Sequence, residues 1–349
     1  MCIRDRGKIV EAKSVLERLI SSFPGYLRED RVNYSLGLIQ YYQEKYEQAL
    51  ESFGKVDGVY ADYYEARCLE ELNRELQAQA KYKELIDKYP ESELADDALY
   101  GMAEAFYRMG QYNFAMRKFW DFVKRYPESE LAPYARFMIG ASRFNEKDYS
   151  KAIENCQIFF RQYPRSELVT SVQYLMAESL KGLGKNGEAI ENYRVIIGSF
   201  TSSELARVSQ YKLVYLYASR REYQKSLEEG EKFLGALPTG RDTGRDDSGR
   251  PLEGEDSGVL PKGRETGRGE PYGHSTIDEA WKDILLLKGL CLQKLGRYSE
   301  AEIAYQSAFN IAPDSEPGGK ALYLLGLTYY EQGDYQSLIT SYRNLVTGI

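Results

Sequence analysis

Tyr89-Pro90-Glu91-Ser92-Glu93-Leu94-Ala95 decides the fold, because the same seven residues return unchanged 37 positions later at residues 126–132. A third copy begins at Tyr163, and a diverged copy occupies residues 200–206. A fixed period of this size is the signature of stacked helical pairs. Each pair contacts only its neighbours, so the sequence predicts an extended surface and no single central core.

Two amphipathic helices are predicted within each period. Between Leu94 and Pro127 the first apolar set is spaced i, i+3, i+4, i+7, which is one face of a helix. Gly110 interrupts the pattern, and Pro127 ends the unit because proline cannot continue a helix. The apolar positions are Leu99, Met102, Ala103 and Phe106 in the first helix, and Ala115, Phe119 and Phe122 in the second.

A small residue recurs in each predicted helix, where it allows the partner helix to approach closely. Val214 is the bulky exception in the first column, and its repeat is expected to pack less tightly. Gly140→Leu is expected to overpack the helix contact at a cost of roughly 1–3 kcal/mol. The first column is Gly37, Ala66, Ala103, Gly140, Ala177, Gly289 and Gly326, and the second is Ala12, Ala49, Ala78, Ala115, Ala152, Ala189, Ser226 and Ala301.

This pattern resembles the tetratricopeptide repeat, W-x2-L-G-x2-Y…A-x3-F…P. The resemblance implies an all-α fold, a right-handed superhelical solenoid of about nine helical hairpins, running over residues 7–238 and 277–349. HEAT and armadillo repeats fit less well, since they have longer periods and lack the small-residue columns.

Serine and glutamate follow each repeat proline, where a helix should begin. A serine hydroxyl can accept a hydrogen bond from a free backbone N–H there, and a carboxylate is stabilised by the positive end of the helix dipole. The sequence therefore predicts helix caps and first helical residues at these positions. They are Ser92, Ser129, Ser166, Ser203 and Ser315, followed by Glu93, Glu130, Glu167, Glu204 and Glu316.

Three segments stand apart from the repeat. Residues 1–6 fit no repeat position and are interpreted as a non-native scar. Residues 239–276 hold nine glycines, three prolines and fourteen charged residues, so a disordered insert is expected there. Both termini are expected to be cut, because residues 345–349 stop one residue before the next repeat proline is due.

Several classes of function are disfavoured by composition and spacing. The net charge of −7 argues against nucleic acid as the main partner, and no apolar run is long enough to cross a membrane. The four cysteines are widely spaced, and the single histidine, His274, lies in the predicted insert. No phosphate loop, zinc motif or nucleophile elbow occurs. The sequence therefore predicts no catalytic site, no cofactor and no metal.

The resemblance implies that the first helix of each repeat lines a concave groove, and this sequence places rings there. Two readings are open: the rings contact a bound peptide, which suits tyrosine, or they pack against neighbouring helices. Lys and Asn are absent from the ring position, which excludes the carboxylate clamp of chaperone-binding members. The main column is Tyr34, Tyr63, Tyr100, Phe137, Tyr174, Tyr211, Leu286 and Tyr323, and the partial second column is Tyr41, Tyr107, Phe144 and Tyr330.

The Tyr-Pro-x-Ser turn and the aromatic first helices are similar to those of bacterial cell-envelope tetratricopeptide proteins, of the outer-membrane assembly lipoprotein and Tol-Pal coordinator types. This resemblance implies a non-catalytic scaffold that binds proteins or peptides, in the periplasm or at the outer membrane, with a possible membrane tether through a missing N-terminus. Two alternatives to the envelope scaffold remain open. In the first the chain is a cytoplasmic adaptor, and in the second it is the accessory arm of a larger cell-wall enzyme.

Overall fold

The computed structural model describes residues 29–199, 203–235, 277–311 and 316–347, with a few isolated positions between 11 and 22. Throughout these ranges the chain forms helices joined by short turns, and no strand occurs in them. The predicted scar at residues 1–6 and the predicted insert at residues 239–276 lie outside the described residues. The all-α prediction is confirmed.

Sixteen helices occupy the described ranges, and consecutive helices pack as eight hairpins. The chain divides into two compact units after Tyr163. The first unit contains α1 (Glu29–Tyr42), α2 (Tyr46–Phe53), α3 (Val59–Glu71), α4 (Glu75–Lys88), α5 (Ala95–Arg108), α6 (Tyr112–Arg125), α7 (Ala132–Asn145) and α8 (Tyr149–Gln162). The second contains α9 (Val169–Gly182), α10 (Asn186–Ser199), α11 (Glu204–Ser219), α12 (Tyr223–Gly235), α13 (Ile277–Lys294), α14 (Tyr298–Ile311), α15 (Glu316–Gln332) and α16 (Tyr335–Thr347).

Each hairpin turn contains one residue in the left-handed backbone region. Gly110 has φ +71° between α5 and α6, and its N–H donates to the Tyr107 carbonyl at 2.9 Å. Lys147 occupies the same turn position in the next hairpin with φ +61°. Glycine adopts this conformation without a Cβ penalty, whereas lysine is strained there.

In three hairpins the glycine of the first helix lies beneath an aromatic ring of the second helix, 16 positions later: Gly37 beneath Phe53, Gly289 beneath Tyr305 and Gly326 beneath Tyr342. A Cβ added to Gly37 would lie only 2.6 Å from the Phe53 ring. Val214 does not loosen its hairpin, contrary to the prediction, because residue 230 opposite it is glycine and Val214 is fully buried. The large residue of this pair lies on α11 and the small residue on α12, so the two helices still pack closely.

In three of the copies the repeat serine accepts its hydrogen bond within the turn before the helix, and it is not the predicted N-cap. The Ser92 hydroxyl accepts from the Leu94 N–H at 3.2 Å, and α5 begins only at Ala95. Two successive turns follow Tyr89 and separate the serine from the helix. Ser203 is the N-cap that the sequence predicts, since its hydroxyl accepts from the Ala206 N–H at 3.1 Å. Ser129 and Ser166 behave as Ser92 does, and Ser315 lies outside the described residues.

Three cysteines are buried and unpaired, as expected for small apolar side chains. Burial raises the pKa of Cys68 to about 12 and raises that of Cys156 as well. A thiol needs its thiolate form to react, so these side chains act as packing groups.

Candidate functional site

The main ring column packs inside the hairpins. The Tyr100 ring lies 5.4 Å from the Phe119 ring, and the Tyr174 ring lies 6.0 Å from the Tyr193 ring. In each pair, a ring of the first helix packs against a ring of the second helix that lies 19 positions later in the sequence. Tyr100, Phe137 and Tyr174 are buried, so the prediction that they line an open groove is wrong for these three positions. Their burial supports the packing interpretation.

The other members of this column are less covered. Tyr34, Tyr63 and Tyr211 are half-buried, while Tyr323 is 50% exposed. Leu286 is buried. These tyrosines also meet a ring of the following helix: Tyr34 meets Phe53, Tyr63 meets Tyr82, Tyr211 meets Phe233 and Tyr323 meets Tyr342.

The second ring column closes the turn of its hairpin. Each ring lies against the tyrosine that opens the next helix, five residues later. The rings themselves stay half-buried or exposed, so each residue keeps some surface accessible to solvent. The pairs are Tyr41–Tyr46, Tyr107–Tyr112, Phe144–Tyr149 and Tyr330–Tyr335, with ring centroids 5.5, 5.2, 5.4 and 6.2 Å apart.

A hydrogen bond connects consecutive first helices at this column. The Asn145 amide donates to the Tyr107 hydroxyl at 2.7 Å, joining α7 to α5. Burial raises the pKa of Tyr107 to about 12, so the phenol remains neutral. Tyr107, Phe144 and Asn145 therefore form one continuous half-buried patch across two repeats, and we call it the inner patch.

A charged cluster lies beside the inner patch. The Glu70 carboxylate contacts Arg67 at 3.4 Å, accepts a hydrogen bond from the Tyr82 hydroxyl at 2.9 Å and pairs with Arg108. Arg108 also pairs with Glu75 at 2.8 Å. Arg67 and Glu70 are almost fully buried. Pairing is required there, because a lone buried charge is costly.

Glu104, four residues before Arg108 in α5, is a weaker acid than an ordinary glutamate. Burial, followed by repulsion from Glu70, raises the pKa of Glu104 to about 7, while the attraction of Arg108 and Arg67 opposes the rise. The cluster was missed in the sequence, although Arg67 and Glu70 stand three residues apart within an otherwise buried helical stretch. That spacing is the signal which could have found them.

Within the described ranges, no three metal-ligating side chains converge on one point. No helix described there combines the length and apolar character that crossing a bilayer needs.

Family models agree with the packing. Tetratricopeptide repeat models match residues 60–92 and residues 283–337. The chain carries tetratricopeptide repeats. Between these two matches, residues 96–186 match the YfiO model, which is described as an outer membrane lipoprotein. The inner patch lies within residues 96–186, between the two tetratricopeptide matches in the sequence.

Two solved structures show the same fold at low identity. A tetratricopeptide repeat protein from Parabacteroides merdae is 17% identical and superposes with a TM-score of 0.50, covering 80% of this chain and 94% of its own. The C-terminal part of a TPR repeat-containing protein from Cytophaga hutchinsonii is 15% identical, with a TM-score of 0.54, and covers 68% and 93%. No curated protein sequence matches the chain significantly.

Proposed function

We propose that this protein is a non-catalytic scaffold, and that it binds other proteins or peptides along the first helices of its repeats. The observation that carries the proposal is the inner patch, because Tyr107 and Phe144 remain partly accessible while the Asn145 side chain hydrogen-bonds across their helices. Tyrosine and phenylalanine offer rigid apolar contact area at low entropic cost. Arg108, the residue after Tyr107, supplies a charged group beside the patch for orientation.

The proposed location is the bacterial envelope, in the periplasm or at the outer membrane. Support comes from the outer membrane lipoprotein model that matches residues 96–186. Fractionation of cells carrying the tagged gene at its native locus tests this. Recovery in the soluble cytoplasmic fraction favours the adaptor alternative, and recovery as part of a longer polypeptide with a hydrolase domain favours the enzyme-arm alternative.

Binding at the inner patch is tested by photocrosslinking in the native host. A benzophenone amino acid replaces Tyr107 or Phe144 in two variants, and replaces Phe160 of α8 in a control, since Phe160 is half-buried on a second helix. We expect the first two variants to crosslink to the same protein and the control to miss it. Equal crosslinking from all three positions would reject the inner patch as the binding surface.

A further inference from the structure

The exposed side of α6 carries aromatic and cationic side chains in alternation. Phe114, Arg117, Trp120 and Lys124 are spaced three or four residues apart, so they share one face of the helix. Phe114 is 51% exposed and Trp120 is 42% exposed. The Arg117 guanidinium lies over the Phe114 ring, 4.6 Å from its centroid. We call these four residues the outer row.

The cations of the outer row have no carboxylate partner in the described part of the chain. Arg117 donates from Nε to the backbone oxygen of Asn113 at 3.3 Å and forms no ion pair there. Some cations on other second helices are paired: Lys81 of α4 lies 2.7 Å from Glu65, and Lys225 of α12 lies 2.7 Å from Glu222. The helix α6 carries one exposed carboxylate, Asp121, against four cations. The outer row is therefore locally cationic within a chain of net charge −7.

A second observation concerns Arg136 of α7, whose guanidinium stacks on Trp120 at 4.6 Å from the ring centroid. Arg136 is only 5% exposed, and its Nε and Nη1 atoms have no hydrogen-bond partner among the described residues. Asn155 of α8 also has a buried side-chain oxygen without a hydrogen-bond partner in the described part of the chain. Its amide is neutral, so it cannot offset a cationic charge.

A buried guanidinium without a carboxylate destabilises the free protein. Burial accordingly lowers the pKa of Arg136. An anion that approaches the exposed edge of Trp120 would be attracted by this charge from below and by Arg117 and Lys124 from either side. Arginine and tryptophan beside each other are also the residue types that dominate binding hot spots.

We propose that the outer row, with Arg136 beneath it, binds an acidic segment of a partner protein. Carboxylates of that segment pair with Arg117 and Lys124, and an apolar side chain packs on Trp120. The row from Phe114 to Lys124 is about 15 Å long, which matches four to five residues of extended peptide at about 3.3 Å each. This surface lies on a second helix and is separate from the inner patch, so it can be occupied at the same time.

Tryptophan emission gives a direct readout, because the chain has only two tryptophans. In a Trp281→Phe background, emission reports on Trp120 alone. The probe is a synthetic peptide of about ten residues in which leucine alternates with pairs of glutamate. We expect the peptide to shift the Trp120 emission with saturable binding that weakens as salt is added.

Two variants test the assignment against one matched control. Arg117→Glu with Lys124→Glu is expected to weaken peptide binding by about tenfold or more. Lys45→Glu with Lys83→Glu changes the net charge of the same unit equally, at exposed positions outside the row, and is expected to change affinity by less than about twofold. Arg136→Met is expected to weaken binding while raising or preserving the melting temperature, since it removes a buried unpaired charge.

Specific outcomes overturn the proposal. Equal weakening by the control pair would mean that general charge attraction explains binding. Affinity unchanged by both Arg117→Glu/Lys124→Glu and Arg136→Met would remove the outer row as the site. Vesicles with about one third phosphatidylglycerol are tested in parallel. If they shift the Trp120 emission while the peptide does not, the surface binds membranes and not acidic protein segments.

Discussion

The Val214 Cγ1 atom lies 3.7 Å from the point where a Cβ atom on Gly230 would be placed. This separation is an ordinary van der Waals contact, so the glycine leaves room that its hairpin does not need. At Gly37 the corresponding Cβ would collide with the Phe53 ring at 2.6 Å. The same substitution is therefore expected to have opposite effects at these two glycines.

Gly230→Ala is expected to stabilise the protein by roughly 0.5–1 kcal/mol, because alanine favours the helix and fits the available space. Gly37→Ala is expected to destabilise it by roughly 1–3 kcal/mol through overpacking. Thermal or urea unfolding of the two variants measures whether each substitution raises or lowers the free energy of unfolding. A loss of stability in Gly230→Ala would contradict the exchange of large and small residues between α11 and α12.

Glu104 is expected to make stability depend on pH. Its folded-state pKa of about 7 lies above the usual value, so the folded chain binds more protons than the unfolded chain between about pH 4.5 and 7. The free energy of unfolding therefore falls as pH rises through this window. Glu104→Gln does not titrate, and its stability relative to the parent should increase between pH 5 and pH 8 by on the order of 1–3 kcal/mol.

Urea unfolding at several pH values measures this effect, with Glu84→Gln as the control on the exposed side of α4. The control should follow the parent across the whole range. A Glu104→Gln variant that also follows the parent would show that Glu104 is ionised in the folded protein at pH 5.

Glu70→Ala is expected to be strongly destabilising. It leaves Arg67 and the Tyr82 hydroxyl buried without the carboxylate that they share, and breaking a buried pair costs about 3–5 kcal/mol. Glu84→Ala removes a carboxylate that lies 3.7 Å from Lys81 at the surface and should cost less than about 1 kcal/mol. Chemical denaturation of both variants compares them, and equal losses would show that Glu70 is solvated.

Lys147→Gly is expected to stabilise the turn between α7 and α8 by roughly 0.5–1 kcal/mol, because glycine relieves the left-handed strain at φ +61°. The reciprocal change, Gly110→Ala, should cost about 1 kcal/mol at φ +71°. Nothing lies within 4 Å of the added Cβ at Gly110, so the expected loss of stability comes from backbone strain alone. Melting temperatures that move in the same direction for both would contradict this account.

The helices could be predicted from the sequence because their signals are local. Apolar spacing, the glycine of the turn and the repeat proline lie within a few residues of one another, as in residues 94–127. Ring exposure could not be predicted, because it depends on packing partners elsewhere in the chain. Phe137 and Tyr323 occupy the same repeat position, yet Phe137 is buried and Tyr323 is open.

The burial of charged side chains could not be predicted from the sequence either. Arg136 reads as an ordinary surface cation of a helix, and only the position of Trp120 on the preceding helix shows that it is covered. The capping prediction failed at Ser92 for a related reason, since its hydroxyl bonds the Leu94 N–H and α5 begins only at Ala95.

The match between a small residue and the large one 16 positions later is completed inside a single hairpin. Duplication or deletion of a whole hairpin by recombination would therefore carry both halves of each match together and leave the interior intact. A crossover between Gly37 and Phe53 would separate the halves and join mismatched volumes. The lengthening of this chain during evolution is thus expected to have proceeded in complete hairpins, with breakpoints at the proline turns.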